Sequence, residues 1–411
     1  MGRGGQGPLL SRRRELALNL GLAAASLGLC LGLLEIAARI AVAHRKPGKE
    51  VRVRRLYQVH DPVLGWRKRP GARVTYDRPE FTVEMVMNGH GQRDRERAWE
   101  RPAGGFRVLA LGDSFVEGYT VPLAETVTQQ LEARLGGPRC ATAPEVLNTG
   151  TTGWSTDQEY LYYRDEGHRY GAQVVLLFVY YNDVLYNARD NNLGLPKPLL
   201  GFRGGTPAVR NLPVPEAPAA AAPPPPRPPP PGPRSVALDL LGDRLERSAP
   251  GAYNAAARFG LWPPTRRVEP LPEMRVYSAK PDSELRHAWR ATTATVLALR
   301  DEVARHGGRL AIVHVPSRLE ISDPAWELTR WRYGIAEGRW QRDAVAHRWT
   351  EVANSAGVPL LDPSLELRAA EGLFRKSYLP LDGHWNARGH AVTAAAVHRF
   401  LLAHGLAPAC R

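Results

Sequence analysis

The chain has 411 residues, 43% of them apolar, enough to bury a full hydrophobic core once terminal and linker segments are set aside. Its formal net charge is +14, but the basic residues are scattered, Lys supplies only six of the 55, and no helix-turn-helix, RRM or zinc-finger spacing accompanies them, so no nucleic-acid partner is expected. The three cysteines, Cys30, Cys140 and Cys410, exclude a disulfide-rich scaffold and show no CxxC or zinc spacing.

Residues 16–34 read LALNLGLAAASLGLCLGLL without a charge. At about 1.5 Å per residue this run covers a hydrocarbon core of about 30 Å. Arg3, Arg12, Arg13 and Arg14 precede it, so the positive-inside rule leaves 1–14 in the cytoplasm, makes 15–43 a transmembrane signal anchor, and sends the rest across as an extracytoplasmic, membrane-anchored body. The competing reading is a cleaved signal peptide, for which Ala41-Val42-Ala43 offers an A-x-A site, although late after the apolar run. An extracytoplasmic location permits a Cys140–Cys410 disulfide, while Cys30 lies inside the apolar run.

Residues 44–105 are polar and rich in Arg, Pro and Gly, with short β-like runs at 73–76 and 81–87, and are expected to form a stalk and N-terminal arm packing on the domain that follows. From 106 the pattern changes. Apolar runs at 106–111 (FRVLAL), 145–147, 173–179 (QVVLLFV), 309–315 (RLAIVHV) and 358–361 predict buried strands. A helix between them carries Leu285, Trp289, Val296, Leu299 and Val303 on one face and stops at Gly307. A last helix is expected from near Asn386 to just before Gly405, with Ala394, Val397 and Leu401 inward. Alternating strands and helices predict a parallel sheet covered on both faces, over 106–411. Two segments interrupt it: 213–233 (PVPEAPAAAAPPPPRPPPPGP), an extended polyproline linker, and 235–282, a candidate lid.

The first strand runs straight into Gly112-Asp113-Ser114-Phe115, and ligands of open α/β sheets bind at the carboxyl ends of strands. A serine hydroxyl needs a base, and Asp382-Gly383-His384 supplies an imidazole with a carboxylate two residues away, just before the last helix. Gly153 follows the second strand and Asn182 the third, offering a backbone N–H and a side-chain amide as oxyanion donors.

This ordered set, Gly112-Asp113-Ser114, Gly153, Asn182 and Asp382-x-His384, resembles the four blocks of the SGNH hydrolase superfamily, the GDSL-like lipases and esterases, from about 106 to the C-terminus apart from the Pro-rich insertion. The resemblance implies a flavodoxin-like three-layer α/β/α sandwich, Ser114 as nucleophile, His384 as base oriented by Asp382, and an oxyanion hole of the Ser114 and Gly153 N–H groups and the Asn182 amide. Two departures stand out: Phe115 where the family has Leu, and Asp-x-His where many members have Asp-x-x-His. Asp362 is therefore held as a second candidate to orient His384.

No cofactor is expected. A metal set of Asp382, His384 and His390 lacks any recognised ligand spacing, and the Gly-x-Ser-x-Gly elbow of α/β-hydrolases is absent. The expected activity is that of a serine esterase acting on ester groups, O-acetyl above all, of extracytoplasmic glycans or lipids. The alternatives are a polysaccharide O-acyltransferase using the same residues and supplied by an acyl-donor membrane partner, and a catalytically silent glycan-binding protein of the same fold. Trp154, next to Gly153, is a candidate sugar platform or a core residue.

Overall fold

The structure, a computed structural model, describes residues 7–43, 56–136, 143–192, 194–204, 206–217, 235–248, 252–253, 255–256, 259–260, 270–372 and 376–408. The chain divides into two compact units, one of 1–49 with 222–266 and the other of 50–221 with 267–411.

In the first unit the N-terminal helix Gly7–Ala43 contains one stretch, Arg14–Ala41, long and apolar enough to cross a membrane. Its leucines are exposed, Leu16, Leu20, Leu27 and Leu31 among them, as is the free thiol Cys30. A second helix, Val236–Ser248, packs on it. Cys140, Cys410 and the Pro-rich segment from 218 onward lie outside the described residues, and the 235–282 segment is described only in part.

The second unit is built on a five-stranded sheet, all parallel: β1 (Arg107–Leu111), β2 (Glu145–Asn148), β3 (Val174–Val179), β4 (Arg309–His314) and β5 (Leu360–Leu361), in the spatial order β2-β1-β3-β4-β5. That is the flavodoxin-like order, reversing direction at β1. The strands are continuous apolar runs because both faces are covered. Leu109, Leu147, Val175, Leu177 and Ile312 point into one core with the helices Thr156–Asp165, Ser283–Arg305 and Ala344–Ala356. Val108, Val146, Val174, Leu176 and Val313 alternate with them into a second core under Val127–Leu135 and Ala387–Ala403. The fold is thus a three-layer α/β/α sandwich. The predicted long helix starts at Ser283, capped by the Asp282 side chain, and the last helix by Asn386, which accepts from the Arg388 and Gly389 N–H groups.

From residue 56 on, the Arg-, Pro- and Gly-rich segment is packed into this same unit. It forms two hairpins, Gln58–Asp61 with Gly65–Lys68 and Arg73–Asp77 with Thr82–Val86, and buries Tyr57, Trp66, Lys68, Met85 and Arg93. Several of its charged residues, Lys68 and Arg93 among them, are drawn inside by partners far along the chain.

Candidate active site

The end of β1 is shaped by close packing. A Cβ at Gly112 would collide with the Val116 side chain, so the chain turns here with no side chain in the way. Ser114 then opens a one-turn helix, Ser114–Glu117, whose N-cap Asp113 accepts from the Phe115 N–H at 2.9 Å and whose C-cap Gly118 has φ +68. The turn leaves the Ser114 side chain at the carboxyl edge of the sheet, largely buried.

Opposite lies the loop before the last helix. Leu379 and His384 close it, the Leu379 N–H donating to the His384 carbonyl at 2.8 Å, and Gly383 at φ +85 makes the reversal between them. The loop presents His384 Nε2 at 2.7 Å from Ser114 Oγ and His384 Nδ1 at 2.7 Å from Asp382 Oδ1. With the carboxylate on Nδ1, the imidazole proton resides there and Nε2 is left to accept from the serine hydroxyl. Asp362, the other carboxylate considered, instead accepts from the backbone and hydroxyl of Ser364 at 3.0 and 2.5 Å, at the start of the helix Ser364–Ala370. The one-residue-shorter Asp-x-His spacing reaches because Gly383 folds the two side chains onto the same side.

Two residues that the sequence reading did not single out, Tyr119 and Glu80, support this line together with Phe115. The Tyr119 hydroxyl donates to Asp382 Oδ1 and Oδ2 at 3.0 and 3.1 Å and lies 3.0 Å from His384 Nδ1. The Glu80 carboxylate accepts from the Leu381 and Asp382 N–H groups at 2.9 and 2.7 Å, holding the loop from the hairpin side. The Phe115 ring packs against the imidazole, centroids 4.5 Å apart, which gives the Phe in place of the family's Leu a contact of its own. Burial alone would raise the Asp382 carboxyl, but the hydrogen bond and charge of His384 and the Tyr119 hydroxyl outweigh it and hold the group below the ordinary carboxylate range.

Gly153 and Asn182 stand beyond β2 and β3, the two strands flanking β1, so both belong to the same edge as Ser114. Gly153 adopts φ +83 with Trp66 against its Cα, and its carbonyl accepts from Asn192 at 2.6 Å. Asn182 precedes the short helix Asp183–Tyr186. Among the described residues, no backbone hydrogen bond engages the N–H of Ser114 or Gly153, and the Asn182 Oδ1 is buried without a partner. Trp154 takes the second of its two expected places: it is buried, its indole N–H donating to the Trp66 carbonyl at 2.9 Å.

The floor is tied together by charges from the N-terminal hairpins. Glu117 accepts from the Tyr57 hydroxyl at 3.1 Å and from the Thr152 N–H at 2.7 Å, linking the Ser114 turn to the Gly153 loop. Arg93 donates to the carbonyls of Glu117, Gly118 and Val121, and Lys68 to that of Gly150. Burial pulls the Lys68 ammonium down to about 8. Asp113, Glu159 and Asp183 are all buried; burial first, and then the charge of neighbouring carboxylates, raises Glu159 and Asp183 well above the usual range.

His390, considered as a metal ligand, accepts from the Val127 N–H at 3.2 Å, and burial with the nearby positive charge of Arg93 pushes it down to about 3. No group of three or more His, Cys, Asp or Glu side chains suited to a metal ion occurs among the described residues.

Residues 276–409, about a third of the chain and including Asp382 and His384, match the family described as SGNH hydrolase-like domain, acetyltransferase AlgX. Among solved structures, a single-site mutant of Axe2, an acetyl-xylooligosaccharide esterase from Geobacillus stearmophilus, is 12% identical, covering 72% of this chain and 93% of its own, with a TM-score of 0.37. A lipase/acylhydrolase from Enterococcus faecalis is 9% identical, covering 73% and 96%, TM-score 0.36. A protein assigned to the G-D-S-L lipolytic family of Desulfitobacterium hafniense DCB-2 is 10% identical, covering 71% and 98%, TM-score 0.33. No curated protein sequence matches the chain.

Proposed function

We propose that this SGNH hydrolase-like protein, akin to a family of esterases and O-acyltransferases, is a membrane-anchored serine enzyme that removes O-acyl groups, acetyl above all, from glycans or lipids outside the cytoplasm. The observation that carries the reading is the unbroken line Ser114 Oγ, His384 Nε2, His384 Nδ1, Asp382 Oδ1, with 2.7 Å at each contact. In the reaction His384 takes the hydroxyl proton as Ser114 attacks the ester carbonyl. The oxyanion is received by the N–H groups of Ser114 and Gly153 and the amide of Asn182. His384 then returns the proton to the leaving alkoxide, and the acyl group stays on Ser114 until water, deprotonated by the same imidazole, releases it.

Tyr119 and Glu80 act as positioning residues, keeping Asp382 ionised and its loop in place. The substrate class follows from compartment: the helix Gly7–Ala43 is read as a retained anchor, and an enzyme tethered there meets acylated envelope or secreted glycans.

A second reading is favoured by the match to the AlgX acetyltransferase family: a glycan hydroxyl in place of water as acceptor, with the acyl donor supplied by a membrane partner. One assay addresses both. The full chain in detergent is given p-nitrophenyl acetate with and without an oligosaccharide, beside Ser114→Ala and His384→Ala. Turnover lost in both variants supports the mechanism, acetylated oligosaccharide by mass spectrometry assigns transfer, and a parent no faster than either variant removes the enzyme reading.

A further inference from the structure

The uncharged run of the N-terminal helix ends at Leu34, and the next residue is Glu35, near the C-terminal end of the stretch Arg14–Ala41 that is long and apolar enough to cross a membrane. A carboxylate at that depth needs partners. One is Arg39, a turn later, at 2.7 Å. The others come from 200 residues along the chain: the Ser235 hydroxyl donates to Glu35 at 2.7 Å, and the Val236 and Ala237 N–H groups at 3.0 Å each. These are first-turn donors of the helix Val236–Ser248, whose positive end therefore sits on the Glu35 carboxylate. The two helices pack on each other, and Ala38 on one and Gly242 on the other are both buried. Leu238 and Leu241 are exposed, as are Ile36 and Ile40 of the spanning helix.

We propose that Val236–Ser248 is an interfacial helix, clamped to the spanning helix by Glu35 and laying Leu238 and Leu241 into the lipid leaflet that faces away from the cytoplasm. The occupant of this apolar face is lipid because the clamp ties the helix to the C-terminal end of the span, whose Ile36 and Ile40 are exposed as Leu238 and Leu241 are. The chain thus meets the bilayer twice. The inference rests on the retained-anchor reading.

The test uses the full chain with Cys30, Cys140 and Cys410 replaced by Ala, in vesicles of phosphatidylethanolamine and phosphatidylglycerol. An environment-sensitive nitrobenzoxadiazole label is placed on Leu241→Cys or on Asp239→Cys, which at 100° per residue lies about 160° around the helix. Intact mass reads the anchor and quenching by spin-labelled lipid reads the helix. With residues 1–43 retained, the Leu241→Cys label should be quenched about twofold or more beyond the Asp239→Cys label, and Glu35→Ala should abolish that difference. Equal quenching at the two positions overturns the interfacial helix while the anchor stands, and an unchanged difference in Glu35→Ala overturns the clamp. A mature chain beginning at residue 44 overturns the anchor reading and this inference with it.

Discussion

The Tyr119 hydroxyl donates to both carboxylate oxygens of Asp382 while lying 3.0 Å from the imidazole nitrogen that the same carboxylate holds. A hydrogen bond to a charged group contributes about 1.5–3 kcal/mol, and here it fixes the orientation of the acid. Tyr119→Phe is therefore expected to lower kcat about tenfold with little change in KM, since the residue touches the acid and not the ester. Steady-state kinetics with p-nitrophenyl acetate check this, and thermal unfolding verifies that the variant remains folded.

Asp382→Asn leaves the loop intact but replaces the acceptor that holds the proton on Nδ1. A loss of about 10³–10⁴ in kcat is expected, by analogy with other serine triads. Asp362→Asn, which keeps an acceptor for the Ser364 N–H and hydroxyl, should leave kcat within about twofold and the melting temperature close to the parent's. Equal losses in the two variants would reassign the orienting acid.

His390 makes stability depend on pH. Its folded value is about 3 against an ordinary 6.5, so between those values the unfolded chain binds the extra proton and the folded one does not. The contribution is fully present above 6.5 and is lost as pH falls toward 3, at about 1.4 kcal/mol per unit. His390→Gln keeps an acceptor for the Val127 N–H and removes the titration. Its melting temperature should vary less between pH 6.5 and 4 than the parent's.

Glu159 has the opposite sign. Burial and the neighbouring carboxylates raise it well above its ordinary value, so the folded chain holds a proton that the unfolded chain releases above about 4.5. Parent stability should fall with rising pH through that window. Glu159→Gln is permanently neutral, and denaturant titrations from pH 5 to 8 should show its stability gaining on the parent's as pH rises.

Lys68 joins the hairpin to the Gly150 carbonyl, between the nucleophile turn and the Gly153 loop. Lys68→Met keeps much of the buried volume but leaves that carbonyl without its donor, at a cost of about 1–3 kcal/mol. Urea unfolding should register this, with kcat falling as the Gly153 loop loosens.

How much was legible in advance follows from what each feature depends on. The five strands and the two long helices were readable because periodicity is local: β3 is one apolar run buried on both faces, and the long helix repeats its stripe from Leu285 to Val303. Ser114, Gly153, Asn182 and the Asp382-x-His384 pair stood out in the sequence because each follows the end of a strand or precedes a helix, where chemistry-bearing residues gather, and the structure brings Ser114, His384 and Asp382 within hydrogen-bond reach. Tyr119 and Glu80 carry no such mark. Tyr119 reaches Asp382 only because the chain turns back at Gly118, and Glu80 lies about 300 residues from the N–H groups it binds.

The sequence by itself determined the layered α/β architecture, the apolar N-terminal helix and the residues able to form an acyl-transfer site, because these rest on hydrophobic period, turn chemistry and order along the chain. Only the tertiary structure decided that Asp382 and not Asp362 faces His384, that Trp154 is core, that the polar segment after residue 56 builds the floor of the site, and that Glu35 meets the start of a helix 200 residues away. Such choices turn on distances between residues remote in sequence, and several side chains of the same type satisfy the local pattern equally until packing brings one of them within hydrogen-bond reach.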